Sequence, residues 1–145
     1  MNVLNNNENI GPALLEQDRC GYIVQQYIDR PHLIDDLKYD LRLYVFLYGV
    51  QPLRIYLHKM AFARFCTEAY HVPTRANLDN TYMHLTNYAI NQFANNYQQC
   101  EDEEGDSGHK RSLGAILNIL KKAGANPQEL MDQIKDIIVK TIISS

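Results

Sequence analysis

The stretch that decides the fold is an alternating run of charged, aromatic and aliphatic residues: Lys38-Tyr39-Asp40-Leu41-Arg42-Leu43-Tyr44-Val45-Phe46-Leu47-Tyr48. Alternation with period two is typical of a β-strand and predicts one over residues 39–48. The face that begins with Leu41 is aliphatic and is expected to face a core. The opposite face begins with Lys38, Asp40 and Arg42, which leave the sheet on one side. Because buried charges need partners, this end faces either solvent or a charged ligand.

Strand patterns also flank this stretch. Residues 22–28 are largely apolar and are followed by Pro31, which cannot continue a ladder, so a strand is predicted there. Residues 53–58 alternate again after the turn at Pro52 and are predicted to return antiparallel, as a hairpin. The three aliphatic residues of this second hairpin strand, Leu53, Ile55 and Leu57, are expected to face the core.

Helical periodicity replaces the alternation in the last third of the chain. Ser112 is a suitable N-cap for a helix near 112–123, and Asn126 followed by Pro127 starts a second helix near 127–142. Strands followed by helices predict an α+β fold, with an antiparallel sheet flanked by helices. Residues 1–21 are predicted to be an irregular N-terminal segment, because asparagines, glycine and proline break any periodicity there.

Composition excludes several classes of protein. The chain has 145 residues, 46% hydrophobic and 21% charged, which is typical of one globular domain. It contains no apolar run of about 18 residues, so no membrane partner is expected. A net charge of −3 gives no indication of nucleic acid. The 3 cysteines are widely spaced and indicate reduced thiols in the cytoplasm, and no metal ligands are expected within the chain.

Several blocks, in this order and spacing, resemble the tubulin–tyrosine ligase-like family, and most closely its polyglutamylases. The blocks are Gln25-Gln26-Tyr27-Ile28, Lys38-Tyr39-Asp40-Leu41-Arg42, Pro52-Leu53-Arg54-Ile55-Tyr56, Ala63-Arg64-Phe65, Asn77-Leu78-Asp79-Asn80 and Met83-His84-Leu85-Thr86-Asn87-Tyr88-Ala89-Ile90-Asn91. The resemblance implies a partial ATP-grasp-like domain over residues 22–145. The glycine-rich lid and the later metal-ligand block of the family are expected outside this sequence.

The resemblance implies an ATP-dependent tubulin polyglutamylase, which adds glutamate to glutamate side chains of tubulin tails through an acyl phosphate. ATP and Mg²⁺ are then the cofactors, and tubulin tails or microtubules the partners. The implied location is the cytoskeleton, with cilium and basal body as narrower candidates. Because the metal ligands are expected elsewhere, this chain alone is expected to be inactive. A non-catalytic tubulin- or nucleotide-binding remnant, or a ligase for another acidic protein, remains open.

The resemblance also implies residue roles. Arg42 and Arg64 match positions that contact the phosphates and the reacting carboxylate, where guanidinium groups neutralise negative charge. The expected nucleotide contacts are Gln25, Tyr27, Ile28, Lys38, Asp40, His84, Thr86 and Asn87.

Four residues carry further expectations. Gln26 is predicted to help select the incoming amino acid. Arg42 has an alternative as an ion-pair partner of Asp40 or Glu68, and His84 has one as a hydrogen-bonded core histidine. Arg64 lies among phenylalanines and is expected to need an anionic partner.

Overall fold

The computed structural model describes residues 25–100 and 105–145. The predicted irregular segment 1–21 and residues 22–24 of the first predicted strand lie outside the described residues. The strands are β1 Leu33–Ile34, β2 Leu37–Arg42, β3 Val45–Val50, β4 Leu53–Leu57, β5 Phe62–Ala69 and β6 Lys110–Ser112. The helices are α1 Thr81–His84, α2 Tyr88–Asn91, α3 Leu113–Lys122 and α4 Pro127–Ile143. The predicted α+β class, with an antiparallel sheet flanked by helices, is confirmed.

The larger sheet has 4 strands in the order β1-β2-β5-β6. Every neighbouring pair in it is antiparallel. The sequence did not single out β5 as a strand, although it lies between β2 and β6 and places Phe65 in the core. A two-residue turn joins β1 to β2, and Asp35 and Asp36 both adopt positive φ there, 55° and 59°. That conformation matches the twist of a tight hairpin, in which aspartate is tolerated.

The prediction of one strand over residues 39–48 is wrong. The chain leaves the larger sheet after Arg42, and β3 pairs with β4 in a separate 2-stranded sheet. The reason lies in the register: Arg42 is opposite Phe62, where β5 begins, so residues beyond Arg42 have no partner in the larger sheet. Val45 and Leu47 are therefore 40% and 43% exposed instead of facing a core.

The β3–β4 hairpin itself is confirmed, with Val45 opposite Leu57 and Val50 opposite Leu53. The expectation that its aliphatic residues face a core holds only in part within the described chain. Ile55 and Leu57 are half-buried, whereas Leu53 is 40% exposed. The smaller sheet thus presents apolar and aromatic side chains on its surface.

Residues 25–28 are not a strand, which corrects the described part of the strand predicted at 22–28. Side chains hold this segment instead. Tyr27 makes hydrogen bonds with Lys38 and His84. The Tyr70 hydroxyl donates to the Asp29 carbonyl oxygen just beyond the segment, at 2.7 Å. A short, largely apolar run occurs in strands and also in extended segments that side chains anchor, and here the second case applies.

Both long helices are confirmed, with their caps. The Ser112 hydroxyl accepts from the Ala115 N–H, and the Asn126 side chain accepts from the Gln128 N–H ahead of α4. Buried residues from β1, β5 and α3 form the core: Ile34, Ala63, Phe65, Ile116 and Leu120. In the part of the chain that the structure describes, none of the helices has the length and hydropathy of a membrane span.

Candidate functional site

The register of the larger sheet brings charged residues from three strands onto one face. Asp40 on β2 lies opposite Arg64 on β5, and Arg64 lies opposite Lys110 on β6. Arg42 follows two residues after Asp40 and therefore lies on the same face, opposite Phe62. The expectation that Lys38, Asp40 and Arg42 leave the sheet on one side holds within β2, because the residues that alternate with them, Leu37, Tyr39 and Leu41, pack against the core.

An ion pair lies at the centre of this face. Arg64 donates to Asp40 through Nε to Oδ1, at 2.9 Å, and through Nη2 to Oδ2. The Thr86 hydroxyl donates to Oδ2 of the same carboxylate, at 3.0 Å. The hydrogen bonds that Arg64 donates to Asp40 raise the pKa of Arg64 above its ordinary value, so the guanidinium stays charged. The anionic partner expected for Arg64 is therefore Asp40.

This pairing removes the alternative in which Arg42 forms an ion pair with Asp40 or Glu68. Asp40 is taken by Arg64, and Glu68 accepts from the Asn80 side chain instead. The Arg42 guanidinium lies over the Tyr44 ring, 5.5 Å from its centroid. Among the described residues Arg42 has no ion-pair partner, so its charge is exposed and available to a ligand.

A second chain of hydrogen bonds ties residues 25–28 to the sheet. Lys38 Nζ donates to the Tyr27 hydroxyl and to the His84 carbonyl oxygen, both at 2.8 Å. The Tyr27 hydroxyl lies 2.9 Å from His84 Nδ1, and His84 Nε2 lies 3.0 Å from the Asn77 carbonyl oxygen. Because a carbonyl can only accept, Nε2 carries the proton and Nδ1 accepts from Tyr27. Burial lowers the pKa of both Lys38 and His84.

His84 thus has the surroundings of a core histidine. It is 1% exposed, and both of its ring nitrogens have partners in the protein. Lys38 is likewise engaged with Tyr27 and with the backbone of residue 84. The nucleotide contacts expected of these two side chains stay predictions. In this geometry their direct effect is to hold residues 25–28 against β2.

A cavity of about 460 Å³ opens beside the Asp40–Arg64 pair. Of the residues singled out by sequence, Arg42, Arg64 and Thr86 line it. The other residues singled out by sequence are not part of its lining: Gln25, Gln26, Tyr27, Ile28, Lys38, Asp40, His84 and Asn87. The remaining walls come from Phe62, Phe65, Tyr88, Asn91, Tyr97, Gln99, Cys100, His109 and Lys110.

The far wall of the cavity was missed by sequence reasoning, because it consists of a loop and a short strand without periodicity. Tyr97 and His109 stack with ring centroids 5.5 Å apart. Gln98 and His109 exchange hydrogen bonds: the His109 N–H donates to the Gln98 carbonyl, and the Gln98 N–H donates to His109 Nδ1. Gly108 permits this approach, since a Cβ there would lie 2.8 Å from the Gln98 oxygen. This wall carries Lys110 into the cavity.

Asn91 is another residue to which the sequence analysis assigned no role. Its side chain is 1% exposed and uses its oxygen and its amino group fully. The oxygen accepts from the N–H and the hydroxyl of Thr67, and the amino group donates to the carbonyls of Leu85 and Asn87. Asn91 therefore fixes the loop that carries Thr86 to the Asp40 carboxylate. The only sequence signal was its place at the end of the quoted block.

The donor set of the cavity fits an anion. Its described lining contains the cations Arg42, Arg64 and Lys110 and no carboxylate. Guanidinium and ammonium groups beside aromatic walls suit phosphate or carboxylate oxygens. A divalent metal ion is a poorer fit, because no group of three or more histidine, cysteine, aspartate or glutamate residues lies together in the described segments. We therefore regard the cavity as a candidate anion site.

The chain is similar to known proteins over most of its length. Residues 2–145 match the model of the tubulin-tyrosine ligase family, so the match begins earlier than the resemblance from residue 22. A probable beta-tubulin polyglutamylase of Tetrahymena thermophila is 48% identical over 125 residues, covering 86% of this chain and 10% of the relative.

Two mammalian relatives are similar at the same level. Tubulin monoglutamylase TTLL4 of Mus musculus is 44% identical, covering 88% of this chain and 11% of its own length. Tubulin polyglutamylase TTLL13 of Homo sapiens is 46% identical, covering 85% of this chain and 15% of its own length. The chain thus spans only a small part of these relatives, yet nearly all of it is matched. It belongs to the tubulin-tyrosine ligase family.

Proposed function

We propose that this chain is part of an ATP-dependent ligase that joins glutamate to glutamate side chains of tubulin, a tubulin polyglutamylase. The observation that carries the proposal is the cavity beside Asp40 and Arg64, which has three cations and no carboxylate in its described lining. The names of the relatives, which include polyglutamylases and a monoglutamylase of tubulin, support glutamate and tubulin as substrates. A cytoskeletal location follows from the same proposal, with cilium and basal body as narrower candidates.

Formation of an amide from a carboxylate and an amine requires activation of the carboxylate, and ATP supplies the phosphoryl group for it. Arg42 and Arg64 are the residues that would neutralise charge on the phosphate and carboxylate oxygens. Asp40 holds Arg64 by two hydrogen bonds, so the guanidinium is already oriented. Such preorganised donors stabilise a transition state without reorganising during the reaction.

The adenine and ribose contacts remain part of the proposal. Residues 25–28 lie beside Lys38 through the Tyr27 hydrogen bond, at one side of the charged face. Gln25 and the backbone of Tyr27 and Ile28 would read the adenine edge there, and Asn87, which is exposed, would contact ribose or phosphate. Gln26 is also exposed and would contact the incoming amino acid. Mg²⁺ would be held by residues that the family supplies outside this chain.

The test is glutamate transfer by a chimera in which this chain replaces the matching segment of the Tetrahymena relative. Purified chimera is incubated with ATP, Mg²⁺, labelled glutamate and microtubules, and label in tubulin is quantified. We expect incorporation, reduced roughly 10²–10³-fold by Arg64→Ala, the usual cost of losing a donor aimed at transition-state charge.

Arg54→Ala is the matched control. Arg54 lies on the exposed hairpin and contacts only the Tyr48 ring, 5.8 Å from its centroid, among the contacts described. Arg54→Ala should leave the rate of glutamate transfer within a few-fold of that of the unsubstituted chimera. A chimera that folds and binds microtubules but transfers no glutamate would contradict the proposed function, and an Arg64→Ala variant with an unchanged rate would show that Arg64 is structural.

A further inference from the structure

Lys110 is the cation of the cavity to which no role has been assigned. It lies on β6 opposite Arg64, on the same face as Asp40 and Arg42. Of the three cavity cations, Arg64 is neutralised by Asp40. Within the described chain neither Arg42 nor Lys110 has a carboxylate at ion-pair distance. Among the described residues, the uncompensated charge of the cavity therefore lies at two places, on β2 and on β6.

Aromatic rings connect these two charges. Lys110 Nζ lies over the Phe62 ring, 4.4 Å from its centroid. The Phe62 and Tyr44 rings lie 6.3 Å apart, and the Arg42 guanidinium lies over Tyr44 at 5.5 Å. A cation seated on an aromatic ring keeps its charge while its position is restricted. The result is a strip with a cation at each end and an apolar floor between them.

The strip crosses three strands of the sheet, and this extent favours a peptide over a small dicarboxylate. The strands β2 and β6 are separated by β5, so their backbones lie about 10 Å apart at the usual spacing of strands. An extended peptide rises about 3.3 Å per residue, so side chains two or three residues apart span roughly 7–10 Å. The two carboxylates of a single amino acid are closer together than that.

We propose that Lys110 and Phe62 form a subsite for a second carboxylate of an extended, acidic acceptor peptide. The first carboxylate would meet Arg42 and Arg64, and the second would lie two or three residues away along the peptide. The methylene groups of glutamate side chains would pack on Phe62 and Tyr44. This inference rests on the proposed function for the identity of the first carboxylate, but the subsite itself is defined by Lys110 and Phe62.

The test measures binding of fluorescein-labelled peptides to the full 145-residue chain by anisotropy. The probes are glycine-rich peptides with two glutamates separated by zero, one, two or three glycines. We expect the tightest binding at a separation of one or two. Lys110→Ala should weaken that binding about tenfold, in line with a charge-assisted contact, and Lys110→Arg should largely restore it.

Lys121→Ala is the matched control, because it removes the same charge from an exposed position in the last turn of α3. It should change the affinity less than twofold. Phe62→Leu should weaken binding less than Lys110→Ala while abolishing the spacing preference. Wild-type chain that binds none of the peptides, or Lys110→Ala chain that binds within twofold of wild type, would overturn the subsite.

The outcome can be separated from that of the glutamate transfer assay. If the chimera transfers glutamate and Lys110→Ala raises the KM for acceptor peptide without changing kcat, both proposals are supported. If transfer occurs and the KM is unchanged, only the subsite is refuted. If no transfer occurs while peptide binding still depends on Lys110, the subsite stands and the ligase proposal fails.

Discussion

Replacement of Asn91 by alanine should destabilise the chain more than its single small side chain suggests. The Asn91 oxygen accepts from Thr67 N–H and Oγ1, both at 3.1 Å, and its amino group donates to Leu85 O at 2.6 Å and Asn87 O at 3.1 Å. Thr67 is 3% and Leu85 7% exposed, so their polar groups would lose partners inside the protein. Each such group costs about 1–3 kcal/mol.

We expect a total loss of about 3 kcal/mol, since water entering the vacated space recovers part of the cost. The assay is urea unfolding followed by circular dichroism, with the free energy of unfolding extrapolated to water. Asn95→Ala, an exposed asparagine four residues later, is the control and should change it by less than about 0.5 kcal/mol. A loss below about 1 kcal/mol for Asn91→Ala would refute the reasoning.

Other consequences can be measured in the same chain and chimera. Asp36→Gly should stabilise the chain by about 0.5–1 kcal/mol in urea unfolding, because glycine adopts the positive φ of the β1–β2 turn without strain. Burial lowers the pKa of His84, so the stability it contributes is complete above about pH 6.5 and is lost as pH falls through the lowered value. His84→Gln should flatten this decline, leaving the part due to His109, whose pKa burial also lowers. Gln26→Arg should shift amino-acid use by the chimera from glutamate towards glycine, and unchanged selectivity would remove Gln26 from the site.

Local patterns were enough to predict much of the fold. The caps of α3 and α4, the β3–β4 hairpin and the charged face of β2 all depend on residues close in sequence. The end of β2 could not be predicted from nearby residues, because it is set by the residue at which β5 begins. The alternation of residues 39–48 continues without change across that point, so the sequence contains no sign that the chain moves from one sheet to another.

The site was predicted only where chemistry made a residue conspicuous. An arginine between phenylalanines indicated an anionic partner, but the identity of that partner depended on the register that places Asp40 opposite Arg64. Lys110 follows a polar loop with no periodicity and could not be assigned to the same face. Asn91 resembled any polar residue near the end of a helix. Lys110 is recognised only when β6 is paired with β5, and Asn91 only from its hydrogen bonds to Thr67 on β5.

The central claim is that Arg42 and Arg64 hold the phosphate and carboxylate oxygens of the reacting groups. The measurement that tests it most directly is a crystal structure of the chimera with a non-hydrolysable ATP analogue and Mg²⁺. The account predicts oxygens of the triphosphate within about 3 Å of both guanidinium groups, with the Asp40–Arg64 pair intact. A triphosphate bound away from the cavity, with Arg42 and Arg64 contacting only protein, would contradict it.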